Sequence, residues 1–358
     1  MSFRPSPDDE RKAQVRRGCI VLAVILTVLA VAVIAVLFIA GILWKRQPKP
    51  TPQPPPSGDE LQVHMLDVGQ GDSILIIAPG GKTVLVDAGT PGSGKTVIDA
   101  MKRYNLKQID LLVATHAHAD HIGGADEVIR ATKVLSVLDS QVPNATKNYE
   151  DFLKAIKESG AKYIGAEPGQ KFDLGGNASL TVLAPVKPFF TKDQLRSGAN
   201  EPNANSVVTR LDYGDFSMLL TGDAEAETEA RLMKTGANVK AKILKVGHHG
   251  SKYASSEEFL RAGGFESALI SDGEDNRYGH PSQEALDRLK ALGIKIYRTD
   301  LQGEITILTR GQGYQIQTAR AATGDLWAGR TAQKSEPQRG DVDTDSSQTR
   351  SKRAASSR

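Results

Sequence analysis

The sequence predicts an α/β layered architecture, sheets covered by helices, behind one membrane-spanning helix. Two observations predict it. Between residues 59 and 320, short apolar runs bounded by turn residues alternate with amphipathic helical patterns. Ahead of them, residues 19–44 form an apolar run without a single charge.

At 1.5 Å per residue, that run exceeds the roughly 20 residues a helix needs to cross a bilayer. Trp44 closes it, where an interfacial aromatic belongs. The run is too long for the roughly 7–15-residue apolar stretch of a cleaved signal, and it lacks the polar face of a core helix. Arg11, Lys12, Arg16 and Arg17 precede it; Lys45, Arg46 and Lys49 follow. The modest bias places the N-terminus inside and the bulk of the chain outside the cytoplasm, so the expected location is a single-pass cell membrane protein. The expected organisation is therefore a cytoplasmic segment (1–18), the span (19–44), a Pro-rich semi-rigid linker (45–58), the folded domain (59–320) and a polar, disordered tail (321–358).

Within the domain, 61–68, 73–78 and 83–86 are expected as strands, the last two parted by Pro79-Gly80-Gly81. A helix follows over 97–104, a short buried strand over 111–114 and a helix over 149–159. Residues 207–211 and 216–220 read as a hairpin around Tyr213-Gly214-Asp215. Strands at 243–246, 267–270 and 294–297, with a helix over 282–292, complete the pattern.

Composition narrows the function. The chain has 358 residues, enough for one large domain or two small ones with tails, and 39% hydrophobic content supports folding. A net charge of +3 gives no electrostatic argument for tight nucleic-acid binding. Cys19, the one cysteine, lies in the apolar run, so no internal disulfide forms and cysteine is excluded as a metal ligand of the domain.

The chemistry sits in Thr115-His116-Ala117-His118-Ala119-Asp120-His121, directly after the buried strand. Side chains at i and i+2 of an extended stretch point the same way, so His116 and His118 can share one ion. Asp120 and His121, at the start of a helix near Ile122-Gly123-Gly124, aim at a second. Imidazole with carboxylate suits zinc and tolerates manganese or iron.

This order of strand, His-x-His-x-Asp-His and helix resembles the metallo-β-lactamase superfamily, whose αββα sandwich is then the expected fold. Leu219-Leu220-Thr221-Gly222-Asp223 and Lys245-Val246-Gly247-His248-His249-Gly250-Ser251 extend the resemblance. Met65-Leu66-Asp67-Val68-Gly69-Gln70-Gly71-Asp72-Ser73 and Asn276-Arg277-Tyr278-Gly279-His280-Pro281 are similar to one branch, the soluble domain of ComEC/Rec2-type competence proteins. The resemblance covers nearly all of 61–310. It implies two divalent ions, zinc first and manganese as the alternative, about 3.5–4 Å apart and holding a hydroxide whose pKa falls to about 7. It assigns His116 and His118 to metal 1, Asp120, His121 and His248 to metal 2, and Asp223 to both. Asp120 also orients the nucleophile, and His249, Ser251 or His280 is left to contact a phosphate or protonate the leaving group. Taken singly, Asp223 also has a reading as a cap for a helix beginning near Ala224, His248 and His249 as turn residues, and His280 as structural.

One departure stands out. Many members of the superfamily carry a further histidine before the bridging Asp, yet none lies between His121 and His248. Asn203-Ala204-Asn205-Ser206 occupies the region, so either Asn205 fills the position or metal 1 is one ligand short.

Gly89-Thr90-Pro91-Gly92-Ser93-Gly94-Lys95-Thr96 matches a P-loop pattern, and Thr96 is expected to start a helix. The preceding Val84-Leu85-Val86-Asp87-Ala88-Gly89 matches a strand and turn of the resembled fold, so the match is read as coincidence and no ATP is expected. The favoured function is a metal-dependent phosphodiesterase or nuclease, with nucleic acid first among substrates; one span excludes a polytopic DNA channel. The alternatives are a cell-envelope phosphodiesterase acting on teichoic acid or choline-phosphate groups, and a non-catalytic metal-binding module.

Overall fold

Alternation with a period of two organises the core. In the computed structural model, which describes residues 58–196, 199–274 and 276–331, the strands are β1 (Leu61–Met65), β2 (Ile74–Ile77), β3 (Thr83–Val86), β4 (Gln108–Ile109), β5 (Leu111–Ala114), β6 (Lys133–Val134), β7 (Ser136–Asp139), β8 (Lys162–Gly165), β9 (Lys171–Gly175), β10 (Ala178–Ala184), β11 (Val208–Tyr213), β12 (Phe216–Leu220), β13 (Ile243–Lys245), β14 (Ser267–Ile270), β15 (Lys295–Arg298), β16 (Ile305–Thr309) and β17 (Gln315–Thr318). Interleaved helices are α1 (Gly94–Arg103), α2 (Ala119–Ile122), α3 (Ala125–Ala131), α4 (Lys147–Ser159), α5 (Glu201–Ala204), α6 (Ala226–Lys234), α7 (Glu257–Gly263), α8 (Gln283–Ala291) and α9 (Thr299–Gln302).

Among the described residues the strands form an eight-stranded sheet, ordered β17-β16-β1-β2-β3-β5-β7-β8, a seven-stranded sheet, ordered β15-β14-β13-β12-β11-β10-β9, and a separate parallel pair, β4-β6. Both large sheets mix directions. β3, β5, β7 and β8 run parallel in the first, and β12 to β15 run parallel in the second.

Ile74, Ile76, Val84, Val86, Leu111 and Val113 face the second sheet, where Leu211, Phe216, Met218 and Leu220 meet them. Their alternate neighbours Leu75, Ile77, Leu85 and Leu112 face outward, under Val97, Val128 and Phe152 of the helices. Leu219, Leu244, Ala268 and Ile270 do the same on the second sheet, beneath Leu232, Leu260 and Leu286. Strands apolar on both faces can only be buried on both, which yields helix, sheet, sheet and helix layers.

Expected elements recur with modest shifts. The first strand is shorter, ending at Met65, and the first helix begins at Gly94 rather than Val97 or Thr96. The hairpin β9–β10 and the pair β16–β17 were not anticipated.

The expected N-terminal segment, membrane span and linker up to residue 57, and the tail from 332, lie outside the described residues. No helix among the described residues is long and apolar enough to cross a membrane. The disordered tail expected from residue 321 needs correction as far as 331. Leu326 and Trp327 pack against the outer core of the second sheet. Arg298 Nη1 donates to Leu326 O (3.0 Å) and Ala328 O (2.7 Å), and Arg330 pairs with buried Asp300 at 2.7 Å. A polar stretch is held because a buried guanidinium and carboxylate need its partners.

Candidate metal centre

The parallel strands of both sheets deliver their C-terminal ends to one place, where open α/β sheets place ligands. β3 ends at Asp87, β5 at Thr115-His116, β12 at Thr221-Gly222-Asp223 and β13 at Val246-Gly247-His248-His249.

His116 and His118 meet as the i, i+2 spacing predicts, with His116 Nε2 3.0 Å from His118 Nδ1. Asp120 and His121 fall in α2, just past His118. Loop 67–73 braces that helix: Asp72 N–H donates to Asp120 O at 3.1 Å. Gly71, at φ 132°, lies so close that a Cβ there would sit 2.2 Å from Asp120 O, so only glycine fits.

Asp223 is buried between the two groups of histidines and caps no helix; α6 begins at Ala226. Its Oδ1 lies 3.2 Å from His121 Nε2 and 3.6 Å from His249 Nε2. Its Oδ2 lies 3.7 Å from both His116 Nε2 and His248 Nε2. Asp120 Oδ2 is 3.4 Å from His249 Nε2 and 4.0 Å from His121 Nε2. Donor atoms of Asp120, His121, Asp223 and His249 all fall within 4.8 Å of one another.

The structure thus exchanges the two histidines of the doublet. His249, expected to touch a phosphate or move a proton, joins the donors of Asp120 and His121; His248, expected there, faces the side of His116. The cause is backbone. His248 and His249 have φ of 44° and 51°, in the left-handed region. That costs roughly 1–2 kcal/mol per residue and turns successive side chains in ways no strand or helix would.

Several residues were not singled out from the sequence. Asp87 accepts from Thr115 N–H (2.8 Å) and Thr115 Oγ1 (2.6 Å), and its Oδ2 is 2.8 Å from His121 Nδ1. Glu225 Oε1 is 2.7 Å from His248 Nδ1. Fully buried Lys245 pairs with Asp72 at 2.7 Å. Asp87 and Lys245 lie at strand ends, Asp72 in the glycine loop and Glu225 immediately before α6, and charge at such places is the local signal they offer. Asn205 is not free to substitute for a histidine: its Oδ1 accepts from Phe190 N–H, and its Nδ2 donates to Phe190 O and Glu201 O. His280 stands at the rim, ring to ring with His248 at 5.3 Å and with exposed Tyr278 at 6.2 Å. Ser251 Oγ turns back to accept from Tyr253 N–H.

Electrostatics divide the cluster. Burial opposes charge on Asp223, yet His121, His249 and His248 hold its carboxyl well below the usual range. Asp120 is likewise held low, against burial, by His121 and His249. Burial also opposes charge on His249, but Asp223, Asp120 and Asp72 raise it to about 9. His121 is raised well above its ordinary value, against burial, by Asp223, Asp87 and Asp120. Burial and the charge of His121 push His116 far down, and burial lowers His118. Burial, with His248 and His249, drives His280 down to about 3.

Clustered carboxylates therefore demand positive charge. His121 Nε2, Asp223 Oδ1 and His249 Nε2 are buried with no hydrogen-bond partner, and they point at one another. Orphaned buried donors and acceptors are rare, and a mixed nitrogen and oxygen set fits a divalent ion.

The P-loop-like segment is packed against its own fold. Gly92 N–H donates to Glu127 Oε1 at 3.1 Å, and a Cβ on Gly94 would meet Glu127 Cβ at 2.6 Å. An acidic side chain thus covers the first turn of α1.

Comparison with known proteins agrees with this architecture. A sequence profile described as the Metallo-beta-lactamase superfamily matches residues 66–271. ComE operon protein 3 of Bacillus subtilis is 34% identical over 69% of this chain and 33% of its own length. Competence protein ComA of Neisseria gonorrhoeae is 31% identical over 80% of this chain and 37% of its own. Recombination protein 2 of Haemophilus influenzae is 29% identical over 80% and 32%. The chain spans about a third of the length of these curated relatives.

Proposed function

The chain belongs to the metallo-β-lactamase superfamily, with a hydrolase fold related to competence proteins, and on that premise we propose that it is a binuclear, metal-dependent phosphodiesterase acting on nucleic acid. The observation that carries this reading is the set of orphaned donors of His121, Asp223 and His249 converging beside Asp120. Zinc suits the donor set first, with manganese as the alternative. Asp120, His121, Asp223 and His249 would hold one ion, and His116, His118 and Asp223 the other. When bound, such ions supply Lewis acidity toward water and toward a phosphoryl oxygen.

The chain's own residues do the rest. Asp120, ionised and half-buried, accepts a hydrogen bond and so orients an incoming water. His280, driven down to about 3 chiefly by burial, is neutral at physiological pH and carries no imidazolium proton to deliver. That argues against His280 as the initial donor to a leaving group.

The rim supports a nucleic-acid substrate. Tyr253 and Tyr278 are 42% and 53% exposed, large values for aromatic rings. Lys252 and Arg277 lie 5.0 and 5.6 Å from their respective ring centres. Bases stack on exposed aromatic rings while cations meet phosphates. The relatives named for competence and recombination are consistent with such a substrate. The apolar run at 19–44 would anchor the enzyme in the membrane, with the domain outside the cytoplasm.

The test is hydrolysis of bis(p-nitrophenyl) phosphate and single-stranded DNA by the zinc- or manganese-loaded chain, beside an Asp120→Ala/His121→Ala variant. Turnover lost in the variant is expected. Bound metal with no cleavage of any diester would sink the reading in favour of a metal-binding module; cleavage of choline-phosphate diesters alone would move it to the cell envelope.

A further inference from the structure

We propose that His248 is the third nitrogen ligand of the site formed by His116, His118 and Asp223, replacing a histidine that the chain lacks, and that Glu225 positions it. The proposal rests on the binuclear reading above.

Histidine is absent between His121 and His248, and Asn205 has committed its whole carboxamide to Phe190 and Glu201. The missing donor must come from elsewhere. His248 Nε2 lies 3.7 Å from Asp223 Oδ2, the same oxygen that His116 Nε2 approaches to 3.7 Å. Nitrogen and oxygen donors on one tetrahedral ion at about 2.0–2.1 Å stand about 3.4 Å apart, so these separations need little adjustment. His249 Nε2 approaches the other oxygen, Oδ1, at 3.6 Å. The left-handed backbone of the doublet thus sends one histidine to each side of a single carboxylate.

Tautomer geometry agrees. His248 Nδ1 is 2.7 Å from buried Glu225 Oε1, which places the ring proton on Nδ1 and leaves the Nε2 lone pair facing Asp223. Arg196 anchors the other oxygen of Glu225. The amide of buried Asn203 lies against the His248 ring, 3.4 and 3.5 Å from its two nitrogens, and buttresses it.

Pairwise variants of the full chain separate the possibilities by counting bound zinc per chain, with no turnover needed. If His116 and His248 share an ion, His116→Ala/His248→Ala retains the other ion, whereas His116→Ala/His249→Ala retains none. If His248 instead serves the ion of Asp120 and His121, His116→Ala/His248→Ala retains none and His248→Ala/His249→Ala retains one; that pattern overturns the proposal. Glu225→Gln should weaken one ion about tenfold and leave the count unchanged at saturation; equal affinity for both ions would count against its positioning role. Should a variant fail to fold, wild type loaded with one equivalent of cobalt and then one of zinc still decides. The His248 imidazole N–H resonance is expected to shift together with those of His116 and His118; a His248 resonance that shifts only together with those of His121 and His249 would refute the assignment. Two bound ions without diester cleavage would defeat the phosphodiesterase reading and leave the His248 assignment standing.

Discussion

Three histidines of the centre are aimed by acceptors behind them. Asp87 takes the Nδ1 side of His121, Glu225 that of His248, and the carbonyl of Ser271 that of His249, at 2.8, 2.7 and 2.8 Å. Each opposite nitrogen then faces Asp223. Removing such an acceptor typically costs about 10–100-fold in metal affinity. Asp87→Asn should show that loss in a chelator competition, with the fold kept; unchanged affinity would mean His121 is held by packing alone. Protons compete with metal at the same atoms. His249 rises from 6.5 to about 9, so its protonated form stabilises the metal-free fold below about pH 6.5, and that contribution is lost as pH climbs through about 9. Metal must displace this proton and the one on His121, so affinity should rise at least tenfold per pH unit from pH 7 toward 9. Calorimetry in buffers of different ionisation heat checks it; binding without proton release would contradict the assignment.

At the scale of elements, the glycine loop and the strand ends work together. Gly69 and Gly71 both have positive φ, at 71° and 132°, but only Gly71 abuts another segment. Gly69→Ala should cost about 1 kcal/mol of backbone strain. Gly71→Ala adds a collision with Asp120 O, and should both lower the melting temperature further and weaken the ion bound by Asp120. Equal effects in thermal melts and metal titrations would show that the loop does not brace α2. The strands carrying the site were legible because alternating or continuous apolar runs ending in Asp or His are local patterns: β3, β5, β12 and β14 lie where expected. The β9–β10 hairpin was not. β9 (Lys171–Gly175) has exposed and half-exposed residues, and an edge strand is defined by its neighbour more than by its own composition.

Across the whole molecule, the second sheet is closed by a segment with no apolar periodicity. Residues 321–331 supply Leu326 O and Ala328 O to buried Arg298, and Gln283 bonds Trp327 O and Gly329 N. In a chain ending at Arg320, Asp300 still holds Nε and Nη2 of Arg298, but Nη1 loses both carbonyls, at about 1–3 kcal/mol per unsatisfied group. That chain's melting temperature should fall by several degrees relative to a chain ending at Thr331, at roughly 2–4 °C per kcal/mol. Identical melts would show that the segment merely rests on the surface.

What the sequence determined by itself was the list of donors and the strands that carry them. A His-x-His-x-Asp-His run after a buried strand, an Asp ending another strand and a His-His doublet ending a third are local facts, set by side-chain period and turn chemistry. Tertiary structure alone decided how those donors are shared. Whether His248 or His249 faces a given oxygen of Asp223 depends on a left-handed backbone that histidine does not prefer and the surrounding fold imposes. The placement of Asp72, Asp87 and Lys245 depends on two sheets bringing strand ends far apart in sequence to one edge, a long-range constraint that no local pattern encodes.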